Sequence, residues 1–293
     1  MHKLTAGRRA FLVINCVVLA VMAIACILPL VNVLAISMSA SSSAAAGEVK
    51  LWPVNFTLAS YKHALGKAEF MTAAFVSLQR VALGYVISIV VTVLTAFPLA
   101  KEKRSFSSRT VYAWFFIVTM MFHGGLIPSY MTIKALGMLD TMWALVLPGA
   151  ISVFNVILLM NFFRNLPKEI EEAAYIDGAG HWRVLWSIYI PLSKPAIATI
   201  TLFMVVGHWN SWFDGLIYMN SPANYPLQSY LQTIVIGNDP SMVPTNELLD
   251  ISKISDRTFK AAQVFLAAFP VLVLYPFLQK YFMKGLVMGS VKG

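Results

Sequence analysis

Between Arg80 and Lys101 the chain reads VALGYVISIVVTVLTAFPLA (residues 81–100), a run of 20 residues without a charge. About 20 mostly apolar residues are what a helix needs to cross the hydrocarbon core of a bilayer. Every backbone amide and carbonyl in lipid needs a partner inside the protein, which a helix supplies along its own length. A barrel strand would alternate apolar and polar residues, and Val86-Ile87-Ser88-Ile89-Val90-Val91 does not. The run therefore reads as a membrane-spanning helix.

Five other charge-poor runs lie between Arg9 and Glu48, Arg109 and Lys134, Asp140 and Arg164, Lys194 and Asp214, and Lys260 and Lys280. The chain is 58% hydrophobic and 12% charged. Soluble domains carry roughly 25% charged residues, so too few are present here to solvate an ordinary surface. The pattern predicts an all-α, polytopic membrane protein forming a single transmembrane domain over 1–293. Its six helices are expected near 10–36, 72–100, 110–132, 141–163, 192–219 and 261–283.

Orientation follows from Lys and Arg. With the N-terminus inside, the inner segments hold fourteen of the 22 basic residues and the outer ones seven. That excess places both termini in the cytoplasm. The net charge of +9 is then a topological signal, and without a basic face interleaved with aromatics no nucleic-acid partner is expected. The stretch from Ala10 to Ile36 is longer than the roughly 7–15 apolar residues of a signal peptide, so it is read as a retained helix. Cys16 and Cys26 lie ten residues apart on it, about 15 Å, too far for a disulfide, and read as packing residues. The outer segments 37–71 and 220–260 are long enough to touch a soluble partner.

The inner segment 164–191 differs from a plain connection. Pro167 suits a helix start, where its missing N–H costs nothing. Glu169, Glu171 and Glu172 favour the positive end of that helix, and Gly178 can end it with a positive φ. A second amphipathic stretch runs from His181 to Ile190 and stops at Pro191. Two short helices at the cytoplasmic surface are expected, with Ala173 and Ala174 as a small patch open to close approach.

Glu172-Ala173-Ala174, then Asp177-Gly178-Ala179, then Ile190-Pro191 resembles the coupling loop of binding-protein-dependent ABC importer permeases. More narrowly, the chain is similar to the carbohydrate branch, and within it to permeases for complex or acidic oligosaccharides such as alginate or pectin fragments. Gly124-Gly125-Leu126-Ile127-Pro128, Pro226-Leu227-Gln228 and Gln279-Lys280-Tyr281-Phe282-Met283-Lys284-Gly285 match that branch as well. The likeness covers essentially all of the chain after the first helix. It implies a type I importer fold in the bacterial cytoplasmic membrane. It also implies that Glu172, Ala173, Ala174, Asp177 and Gly178 dock on an ATPase dimer. A second homologous permease chain (a heterodimer) and an extracytoplasmic solute-binding protein are the other implied partners, beside membrane lipid.

No Gly-x-x-x-x-Gly-Lys-Ser/Thr phosphate loop occurs in the chain. ATP and Mg are therefore expected on a separate partner, with no cofactor here. The five histidines show no metal-ligand spacing, and no Gly-x-Ser-x-Gly elbow occurs. A non-catalytic subunit is expected.

Candidates for a solute path are the cluster Trp209, Asn210, Trp212 and Asp214, together with Arg80 and His123. Trp209 and Trp212 share a helix face, and rings beside Asn and Asp suit a sugar. An aromatic belt at the outer interface explains the same residues. Arg80, about 12 Å into its helix, attracts a uronate carboxylate, snorkels, or pairs with another helix. His123-Gly124-Gly125 is a hinge, a close helix contact or a solute contact. Two rivals to the permease reading stand, an ion-gradient-driven secondary transporter and a membrane-embedded enzyme. The first needs ionisable groups in the spans, where, apart from histidines and the lysines at the span ends, only Arg80 and Asp214 occur. The second needs paired acids or a metal cluster, and neither is seen in the sequence.

Overall fold

The computed structural model describes residues 6–236 and 256–290, the stretch from 277 onward by its backbone alone. All regular structure among them is helical. The chain divides into two compact units, Met1–Met71 with Thr233–Phe269 and Thr72–Gln232 with Pro270–Gly293. Of the long outer segment expected at 220–260, residues 237–255 lie outside the described residues.

The first unit opens with α1 (Ala6–Ser37). Its 32 residues rise roughly 48 Å, more than the ~30 Å hydrocarbon core. Mean hydropathy along it reaches 3.0, and that window is 0% buried. Phe11, Val13 and Met22 are all exposed, as are the free thiols of Cys16 and Cys26. The two cysteines thus face outward and do not pack against any of the described residues. Cover among the described residues begins at Asn32, which donates to Lys50 O, and Ala35 and Ile36 pack with Ala44 and Val49. Ser37 Oγ bonds its own helix at Leu34 O and meets Tyr61 Oη at 2.7 Å. The short helices α2 (Ser41–Ala45) and α3 (Ala59–Gly66) follow.

The long helix α4 (Ala68–Ala100) is the spine of the second unit. Around it come α5 (Arg109–Met121), α6 (Leu126–Ala135), α7 (Met142–Val146), α8 (Val153–Arg164) and α9 (Lys168–Ile176). Then follow α10 (His181–Leu192), which holds a π-helical turn at Leu185–Tyr189, α11 (Lys194–Asn210), α12 (Phe213–Tyr218) and α13 (Leu227–Ile236). The last helix, α14 (Asp256–Ser290), runs from the first unit into the second, the division falling after Phe269. Val93, Ala96 and Phe97 of α4 pack with Leu159 and Phe163 of α8 and Ile200 of α11 to form the main core.

Among the described residues three helices are long and apolar enough to cross a membrane, and two bent pairs pass the same test together. Three of the expected spans are not single helices. The span expected at 110–132 bends by 114° between α5 and α6. Gly125 sits there at φ +87°, a region open to glycine but costly for other residues. Pro128 then falls in the first turn of α6, where it needs no N–H partner. The span expected at 141–163 stops after α7 and restarts at α8. Pro148 lies in the gap and offers no N–H to continue the ladder. Ser152 caps the restart by accepting from Asn155 N at 3.4 Å. The span expected at 192–219 breaks after Asn210, where Ser211 turns extended. Upstream, α11 meets α10 at 82°.

Candidate functional site

A helix broken at membrane depth leaves carbonyls that need donors. Arg80 supplies them. Its Nη1 donates to Ser211 O at 3.2 Å, in the gap between α11 and α12. Its Nη2 donates to Leu145 O at 3.3 Å, in the last turn of α7. Both terminal nitrogens also donate to Asp214, Nη1 to Oδ1 at 3.1 Å and Nη2 to Oδ2. Ser211 Oγ and Gly215 N add two bonds to Asp214 Oδ1, both 2.9 Å. The guanidinium is 2% exposed. Its fork is fully engaged, with Nε alone left without a partner. Of the three readings of Arg80, pairing across helices is what the structure contains.

One face of α4 carries this arrangement. Ser77, Arg80, Gly84, Ser88 and Thr92 follow three- and four-residue spacing and all are buried. Ser77 Oγ accepts from Leu227 N at 2.7 Å, fixing the start of α13. Gly84 lies against the His208 ring so closely that a Cβ would sit 2.6 Å from it. His208 Nε2 and Ser88 Oγ are 3.5 Å apart. Beside these groups is a cavity of about 510 Å³, lined by Arg80, Ser88, Asn155, His208, Ser211 and Asp214 among others.

The candidates from sequence therefore separate. Arg80 and Asp214 meet at the cavity. Trp209 is buried at 6% and does not line it. Asn210 and Trp212 are exposed and lie off it, and His123 is exposed at the α5–α6 bend. Sequence reasoning missed Asn155, Ser88 and Ser152. The signal that locates the site is the small and polar stripe from Ser77 to Thr92 on an otherwise apolar helix.

At the C-terminal end of α4 lies a second constellation. Glu171 on α9 accepts from Lys101 and from Tyr189 Oη. Lys101 Nζ donates to Tyr189 Oη at 3.1 Å and sits over the Phe97 and Tyr189 rings at 4.2 and 4.3 Å. Tyr189 in turn meets Phe97 and Phe163 edge-on at 5.0 and 5.2 Å. Burial works against ionisation of Glu171, but the bonds from Lys101 and Tyr189 outweigh it and hold the carboxyl below its ordinary value. Burial, with the Glu171 charge nearby, pushes the Tyr175 phenol up to about 12. Thus the Glu171 carboxylate fastens α9 to the core, beside the exposed Lys168–Glu102 pair.

Its other face is open. Glu172, Ala173, Asp177 and Gly178 are exposed, and Ile176 is 86% exposed. Ala174 points the other way, packed against the core. Gly178 at φ +76° ends the helix. Its N–H bonds Tyr175 O at 3.0 Å and Ala179 N bonds Ala174 O at 2.9 Å, the paired closure that favours glycine here. Ile176 was not singled out from sequence, although an apolar residue on a polar face marks it. No group of three or more metal-ligating side chains occurs among the described residues.

The model of the family described as "Binding-protein-dependent transport system inner membrane component" matches residues 70–287. The chain belongs to this family. The permease is 40% identical over 294 residues to Protein LplC of Bacillus subtilis (strain 168), covering 100% of this chain and 98% of that protein. It is 37% identical over 271 residues to the polygalacturonan/rhamnogalacturonan transport system permease protein YtcP of the same organism, covering 92% and 94%. Among solved structures, the permease superposes with a TM-score of 0.89 and 30% identity on a chain of a bacterial ABC transporter involved in import of the acidic polysaccharide alginate. That match covers 96% of the permease and 100% of the other chain.

Proposed function

We propose that the permease is a non-catalytic subunit of an ATP-driven importer, carrying an acidic, alginate- or pectin-like oligosaccharide across the cytoplasmic membrane by alternating access. Residues 1–293 act in this reading as one transmembrane domain with both termini inside. Its partners are a second, homologous permease chain, an ATPase dimer that holds ATP and Mg, and an extracytoplasmic solute-binding protein.

The observation that carries the reading is α9. A short helix that presents Glu172, Ala173, Ile176 and Asp177 outward, while Glu171 anchors it to the inner end of α4, is built to receive a push and pass it on. Ala174 backs that surface and Gly178 shapes its end. The carbohydrate cargo is supported by YtcP and by the alginate transporter. Asn210, Trp212 and His123 stand as exposed path positions in this reading, with Trp209 behind them.

The test is reconstitution in proteoliposomes with the partner ATPase, the second permease and the binding protein. Uptake of an acidic oligosaccharide should require ATP and persist when ion gradients are collapsed. Uptake by this chain alone, or uptake driven by an ion gradient without ATP, refutes the reading.

A further inference from the structure

The cavity beside Arg80 joins polar groups, aromatic surface and a cancelled charge. Asp214 offers about four acceptor positions, and Arg80, Ser211 and Gly215 use them. The terminal nitrogens of Arg80 are likewise committed to Asp214 and two carbonyls. A ligand carboxylate would have to break this fork to gain a bidentate partner of its own, and would leave the half-buried Asp214 without one. Neutral hydrogen-bonding capacity does remain. Asn155 is 4% exposed and lines the cavity, and its Oδ1 has no partner. Ser88 and His208, 3.5 Å apart at the α4–α11 contact, also line it. Phe154 and Phe203 also line the cavity, their ring centroids 6.0 Å apart. The volume of about 510 Å³ falls in the ordinary range for small-molecule sites.

We propose that this cavity is a subsite for one ring of the transported oligosaccharide, read through its hydroxyls by Asn155 with the ring's C–H face on Phe154 and Phe203, and indifferent to whether the ring bears a free carboxylate. The proposal rests on the carbohydrate-permease reading above. It assigns Arg80 and Asp214 to holding the cavity open and electrically neutral. Selection for acidic chains then belongs elsewhere in the transporter. Asp214 is also the lock on that neutrality: with a carboxamide in its place, Arg80 keeps its charge and gains bonding capacity facing the ligand.

The experiment uses the assembled transporter in nanodiscs without binding protein, titrated with trigalacturonate and with its fully methyl-esterified form. Wild type should bind both within about 3-fold of one another. Asn155→Leu should weaken both by about 3- to 10-fold, the loss of one neutral hydrogen bond. Asp214→Asn should shift the ratio toward the free acid by about tenfold or more, the scale of a charge-assisted bond. Co-purification with the ATPase reports folding, and Asn155→Thr replaces the Leu variant if that one does not assemble. A wild-type preference of tenfold or more for the acid overturns the proposal. So does unchanged affinity in the assembled Asn155 variant, an unchanged acid-to-ester ratio in Asp214→Asn, or no binding to a transporter that imports trigalacturonate. Failure of the complete transporter to import either probe instead overturns the carbohydrate reading itself.

Discussion

Glu171 accepts from both Lys101, just past the C-terminal end of α4, and Tyr189 Oη, in the π-helical turn of α10. One carboxylate therefore ties three helices at the base of the second unit. Replacing it with Gln keeps the shape and removes the charge. Glu171→Gln should leave the chain in the membrane and lower sugar transported per ATP hydrolysed by severalfold. Uptake and ATPase rates measured in the same proteoliposomes check this.

The same contact sets a pH limit. Glu171 is held below its ordinary value, so it contributes stability above the unfolded carboxyl's pKa of about 4.3. That contribution is lost as pH falls through the lower folded value. Hydrogen exchange across residues 168–176 should stay protected from neutral pH down to about 4.3 and rise below it. Glu171→Gln should remove this step.

Ile176 is a large apolar side chain held almost entirely in solvent. Burying such a side chain stabilises by about 1.5–3 kcal/mol. Ile176→Ala should weaken co-purification with the ATPase by about tenfold or more, and Ile176→Lys should abolish it. Thermal unfolding of the free chain should change little, because Ile176 makes no core contact.

Gly84 and His208 meet without room for a methyl group. Gly84→Ala should push α4 and α11 apart and cost about 1–3 kcal/mol, seen as a lower Tm in detergent. Adding His208→Ala should recover part of the loss, since it opens space for the new methyl.

Arg80→Leu should be the most damaging change. It strands the Asp214 carboxylate and frees the Ser211 and Leu145 carbonyls at once, a loss of about 3–5 kcal/mol. Arg80→Lys should rescue only part, because one ammonium does not reproduce the planar fork. Yield of folded protein and Tm give the order.

The helical class was readable because apolar runs near 20 residues have one solution in lipid. The short helix α9 was readable because Pro167, the acids and Gly178 punctuate it through local rules. The three broken spans were harder. Gly125 and Pro148 are visible in the sequence, but a bend of 114° needs a neighbour to hold it. That Arg80 serves the break at Ser211 depends on a contact 131 residues away in sequence. No local periodicity encodes it. Ala174 illustrates the same limit in miniature: its letter is shared with Ala173, and only the packing of α9 turns one inward and the other out.

Among the described residues, α1 is exposed from Gly7 to Val31. Where the neighbours of such a helix are fluid acyl chains, it is constrained in oiliness and length, with little constraint on shape. Leu, Ile, Val and Phe are then nearly interchangeable along residues 11–31, and wholesale shuffling of that stretch should be silent. This first helix is free to drift in sequence while Gly84, four turns into the next long helix, is not.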